Sequence, residues 1–157
     1  MTPLDLVDTA RRTLGNSGSR RPRQSDLKRA MSTAYYAVFH QLCRTTADTF
    51  IGGGGSNRSK QAWAQAYRAV DHRAAKDKCN KNTTVMSQFP TEIQDLANAF
   101  VALQQARHKA DYDPLHRLTR SEVKAEIDRV EQVIKDFNKA SKKDRRAFAA
   151  WITLKTR

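Results

Sequence analysis

The chain has 157 residues, with 29 Lys+Arg against 16 Asp+Glu and a formal charge of +13, a length that suits one domain around one core. Leu, Ile, Val and Phe total only 29, a share that borders on disorder at this charge, but 21 alanines face ten Gly and Pro and the large apolar residues recur at helical spacing. These features exclude a collagen-like or disulfide-rich chain, argue against a β-barrel, and predict an all-α fold.

No run reaches the ~18–20 apolar residues that span a bilayer, and the N-terminus carries no signal-type apolar stretch. Cys43 and Cys79 form no metal-ligand spacing with each other, so they read as reduced thiols of a cytoplasmic protein. In chain order, a first helix starts at Thr2 as N-cap with Pro3 behind it, turns Leu4, Val7 and Leu14 inward and stops at Gly15. A polar, basic loop runs from Asn16 to Arg23. The second helix, Ser25–Thr49, is apolar on two faces, Leu27/Met31/Ala34/Val38/Leu42 and Tyr36/Phe39/Cys43, which marks the central helix of a bundle. Gly52–Gly55 and Ser56 form a flexible loop, read as natural rather than as an engineered linker.

A third helix begins at about Arg58 and carries Trp63, Tyr67 and Val70; Asp71–Asn82 is charged and ambiguous. A long helix from Pro90–Thr91 toward Ala110 carries Ile93, Leu96, Phe100 and Leu103 and ends by Asp113-Pro114. Thr119 and Glu122 make a capping box for a helix with Val123, Ile127, Val130, Ile134 and Phe137. Ser141 opens a last helix with Phe148, Trp151 and Ile152. The expected architecture is a single-domain, up-and-down antiparallel helical bundle. Its core spans about 25–137, Ser25–Thr49 pack against Thr91–Ala110, and a basic C-terminal helix over 141–157 is added.

The charge gathers in three blocks: Arg11–Arg29 and Lys135–Arg157 at +6 each, and Arg58–Lys81 at +5. Together they predict a phosphate-binding surface built through counterion release, in which Arg20, Arg21, Arg23, Lys28, Lys109, Lys142, Lys143, Arg145 and Arg146 are the RNA-binding candidates. The competing readings are a solvated basic surface and, for the last helix, membrane-surface association. Tyr67, Tyr112 and Trp151 are the aromatics available for base stacking. His40, one turn after Tyr36, reads as a hydrogen-bonded core histidine before a catalyst, and no metal-ligand set or nucleotide-binding glycine motif occurs.

The densest polar constellation is Arg107-His108-Lys109-Ala110-Asp111-Tyr112-Asp113 at the end of the long helix. Arg107 and Asp111 are four apart, the spacing of an intrahelical ion pair. Arginine supplies a permanent cation for a phosphorane and histidine titrates near neutral pH, so Arg107 and His108 suit RNA cleavage without metal. Neighbours on a helix diverge by about 100°, so convergence calls for two chains.

The segments Ala34-Tyr35-Tyr36-Ala37-Val38-Phe39-His40 and Arg107-His108-Lys109-Ala110-Asp111-Tyr112-Asp113-Pro114 together resemble the HEPN superfamily, over roughly Ser25–Phe137. The resemblance implies a homodimeric helical bundle, a metal-independent, cofactor-free ribonuclease site shared by two protomers, and a toxin–antitoxin or defence setting with a nucleotidyltransferase-type antitoxin. Arg107 and His108 match the family's arginine and polar position, whereas Tyr112 stands at the commonest position of the catalytic histidine; a phenol with pKa near ~10 is a poor base at pH 7. Two functions follow as expectations. One is an RNA-binding protein with a composite Arg107/His108/Tyr112 site oriented by Asp111, able to act as an endoribonuclease. The other is a non-catalytic module that binds a protein or nucleotide.

Overall fold

The computed structural model describes residues 1–15, 21–80 and 82–155, and among these it is all-helical, without a strand. The helices are α1 (Pro3–Leu14), α2 (Gln24–Phe50), α3 (Lys60–Arg68), α4 (His72–Lys78), α5 (Thr84–Ser87), α6 (Thr91–Tyr112), α7 (Arg120–Lys139) and α8 (Lys142–Thr153). Local chemistry sets most starts. Thr2 with Asp5 and Thr119 with Glu122 form capping boxes, and Ser59, Asp71, Thr83 and Ser141 each accept from the N–H three residues on. The two long central helices, α2 and α6, begin at Arg23 and Pro90 without a side-chain cap. Burial stabilises them instead: thirteen side chains of α2 are buried, on several sides of the helix.

α1, α2, α6 and α7 form an up-and-down bundle. Ser32 bonds Asp111 and the Tyr35 ring stacks on Phe100, so α2 and α6 run antiparallel, as the apolar pattern predicts. The Gln24 side-chain amide exchanges two 2.9 Å bonds with the Leu118 backbone, and Gln41 Nε2 donates to Asn138 Oδ1, so α2 and α7 run in the same direction. Arg11 pairs with Asp128 and Glu131 while Arg120 reaches the Gly15 carbonyl, setting α1 against α7 in opposite directions. The core centres on Tyr35, Phe100, Phe137 and Phe148, all fully buried.

Several boundaries differ from the sequence reading. α6 runs two residues past Ala110, to Tyr112, and the turn at Asp113-Pro114 ends it. α3 starts at Lys60, because Arg58 folds back to Asp48 and the Gly52 carbonyl. Within the ambiguous stretch, Asp71 caps α4, and the short α5 is an element the periodicity did not announce. The Tyr36/Phe39/Cys43 face is closed over by Tyr67 of α3 and His72 of α4; Cys43 is buried and His72 stacks on Phe39 at 3.6 Å. Leu4 is half-buried rather than fully inward. The glycine loop turns on Ser56 N–H to the Gly53 carbonyl, with Gly52 at φ +124°, where a side chain is strained. Cys43 and Cys79 are free and buried, and burial pushes both thiols up to about 12. Most of the loop before Arg21 lies outside the described residues, Arg20 included.

Candidate functional site

The antiparallel pairing of α2 and α6 brings the first turns of α2 against the last turns of α6. Arg107 Nε lies 3.1 Å from Asp111 Oδ2, the intrahelical pair that the spacing predicts, though without an aligned hydrogen bond. Asp111 Oδ1 accepts from Ser32 Oγ at 2.9 Å, so the carboxylate ties the arginine's own helix to α2. The Arg107 guanidinium sits 5.4 and 5.2 Å from the ring centres of Tyr35 and Tyr36, cation–π contacts of about 0.5–1 kcal/mol each. Three residues, Asp111, Tyr35 and Tyr36, thereby hold one cation in a fixed place.

His72 joins this cluster from outside both helices. As the first residue of α4 it follows the Asp71 cap, and its Nδ1 lies 2.5 Å from Tyr35 Oη. Its ring stacks on Phe39. Burial, and then the positive charge of Arg107, hold its pKa below the ordinary histidine value, which leaves the imidazole neutral at pH 7. Burial raises the Tyr35 phenol well above its ordinary value, so Tyr35 stays protonated. His40 forms a similar pair: its Nδ1 meets Tyr67 Oη, burial lowers the imidazole and pushes the phenol up to about 12. His40 is therefore a hydrogen-bonded, half-buried histidine.

The other sequence candidates lie elsewhere. His108 and Tyr112 are exposed on the adjoining flank of α6, their rings 4.8 Å apart, and line a shallow groove of about 530 Å³ with Lys109, Lys76 and Gln105. Arg107 and His108 thus diverge within one chain, as the helical angle requires. Asp111 clamps Arg107 and Ser32. Tyr67 and Trp151 are both engaged: Tyr67 packs on Trp63, and Trp151 donates to the Lys78 carbonyl under the Lys78 ammonium. Tyr112 remains 68% exposed.

The basic candidates separate into two groups. Arg21 and Arg23 are exposed beside the start of α2, and Lys28 Nζ reaches the Asp113 carbonyl at 3.4 Å, so these bases share the Arg107 end with Lys109. Lys142, Lys143, Arg145 and Arg146 stand on the first turns of α8, and three of them line a groove with Gln41, Arg44 and Asp48 from the far half of α2. The 27 residues of α2 measure about 40 Å at 1.5 Å per residue, so the two groups mark opposite ends of the bundle.

Sequence reasoning missed His72, Ser32 and the role of the two tyrosines. Tyr35 and His72 are 37 residues apart, and no local spacing links them. Among the described residues, no three His, Cys, Asp or Glu side chains are arranged to hold a metal ion, and no helix is long and apolar enough to cross a membrane. The chain matches no family model, no curated protein and no solved structure.

Proposed function

We propose that this protein is a HEPN-type RNA-binding protein that engages the phosphate backbone with the Arg107 end of its bundle. The observation that carries this reading is the Arg107 guanidinium, fixed on Tyr35 and Tyr36 within electrostatic reach of a neutral His72. Lys28, Arg21, Arg23 and Lys109 add charge around it, and the exposed Tyr112 offers a ring for a base. A second copy of the chain belongs at the same end, where Leu115 is 87% exposed beside Tyr112; a nucleotidyltransferase-type antitoxin is the protein partner that the reading brings with it.

The same cluster holds the two groups that metal-independent cleavage requires, with His72 in place of the motif histidine. His72 acts as the base in the tautomer whose Nδ1–H donates to Tyr35 Oη, at the cost of turning the Tyr35 O–H away from the ring; Nε2 then takes the 2′-hydroxyl proton. The 2′-oxygen then attacks phosphorus, the bond to the 5′-oxygen breaks, and that oxygen takes a proton from water. Arg107 stabilises the phosphorane charge, and the products end in 2′,3′-cyclic phosphate and 5′-hydroxyl. The non-catalytic reading rests on Asp111, which already occupies the Nε edge of the guanidinium.

The test is fluorescence anisotropy with single-stranded RNA, together with cleavage in EDTA. Wild type should bind and weaken steeply between about 50 and 200 mM salt, and Arg107→Ala should lose most of the affinity. If the protein cleaves, Arg107→Ala and His72→Ala should each cost on the order of 10²-fold or more. Binding without cleavage assigns the non-catalytic module; RNA binding unchanged in Arg107→Ala overturns the site.

A further inference from the structure

At the end of α2 remote from Arg107, the last turns of α2, the glycine turn and the start of α8 enclose an open groove of about 790 Å³, within the range of small-ligand sites. Arg44, Lys142, Arg145 and Arg146 line it, and Asp48 is the one carboxylate among its walls. Asp48 is already committed: its Oδ1 accepts from Arg58 Nη1 at 3.1 Å and from Trp63 Nε1 at 2.8 Å. Arg44 Nε stays 3.8 Å from the other oxygen, too far for a hydrogen bond. Among the described residues, Lys142, Arg145 and Arg146 have no carboxylate within ion-pair distance. Arg145 spends only its Nε, on the Ala140 carbonyl.

Like charges gathered around one concavity repel one another and focus a positive potential into it. The α8 N-terminus adds the positive end of its dipole. An anion with several charges close together relieves this repulsion best, and the arginine fork matches the oxygens of a phosphate. We propose that this groove binds an oligophosphate, free or as the tail of a nucleotide. The site shares no residue with the Arg107 cluster: Arg44 and Asp48 follow Tyr36 by 8 and 12 residues, about 12–18 Å along α2 at 1.5 Å per residue, so either can fail without the other.

The experiment is isothermal titration of the full chain at low salt with tripolyphosphate, ATP and inorganic phosphate. Tripolyphosphate should bind at least tenfold more tightly than inorganic phosphate, and the affinity should fall as salt rises. Lys142→Ala/Arg146→Ala alters two exposed side chains and should weaken binding about tenfold or more with the helical circular dichroism unchanged; Arg107→Ala should leave it alone. ATP binding with the same dependence on Lys142 and Arg146 identifies a nucleotide tail, and tripolyphosphate binding without ATP identifies the free anion. The proposal is overturned by absence of binding at about 1 mM ligand, by binding unchanged in the double variant, or by equal loss in Arg107→Ala. Loss of RNA binding in the double variant without tripolyphosphate uptake would give the groove to the RNA backbone and overturn it as well.

Discussion

Tyr35 Oη and His72 Nδ1 meet at 2.5 Å, joining the buried middle of α2 to the first residue of α4. Tyr35 is wholly buried, so its hydroxyl needs this partner. Tyr35→Phe keeps the ring and strands the imidazole nitrogen. The expected cost is about 1–3 kcal/mol, read from urea unfolding, together with a changed His72 titration by NMR.

His72 and His40 also make stability depend on pH. Both pKa values lie below the ordinary 6.5 in the folded chain, so near and below pH 6.5 the unfolded chain binds the extra protons. Stability is therefore intact above about 6.5 and falls as the pH drops through the two folded values. Urea midpoints between pH 8 and 5 should decline, and the decline should be shallower in His72→Asn. A midpoint that rises on acidification contradicts the burial of both rings.

Arg107→Lys separates charge from shape. Lysine retains the cation but lacks the planar fork and stacks poorly on Tyr35 and Tyr36. RNA affinity should fall less than in Arg107→Ala, while any cleavage should fall nearly as far. Equal cleavage by the lysine variant and wild type would show that a point charge suffices.

Cys43 and Cys79 should resist thiol reagents in the folded chain. Both are buried, with thiol pKa values pushed up to about 12, and the thiolate is the reactive form. Both should label slowly at pH 8 in buffer and promptly in denaturant. Fast labelling under native conditions would mean local opening, of α2 for Cys43 and of the end of α4 for Cys79.

Phe148 tests whether α8 is integral to the bundle. Its ring is fully buried against Phe137 and Phe89, so Phe148→Ala should cost about 3–5 kcal/mol. Little change in the unfolding midpoint would mean that α8 detaches without disturbing the other helices.

The sequence by itself determined six of the eight helices among the described residues, several of their caps, the central place of α2 and α6 and the Arg107–Asp111 pair. All of these rest on interactions within a few residues: a 3.6-residue period, a capping side chain, or a spacing of four. The helical angle likewise set Arg107 and His108 apart. Tertiary packing alone decided what surrounds Arg107. Tyr35 and Tyr36 reach it, and Ser32 reaches its partner Asp111, because α2 and α6 pair antiparallel; His72 comes within its electrostatic reach because α3 and α4 fold back over α2. It also placed the basic blocks: similar runs of Lys and Arg stand at opposite ends of a 27-residue helix. Charge read along a chain carries no distance; the direction of the helices supplies it.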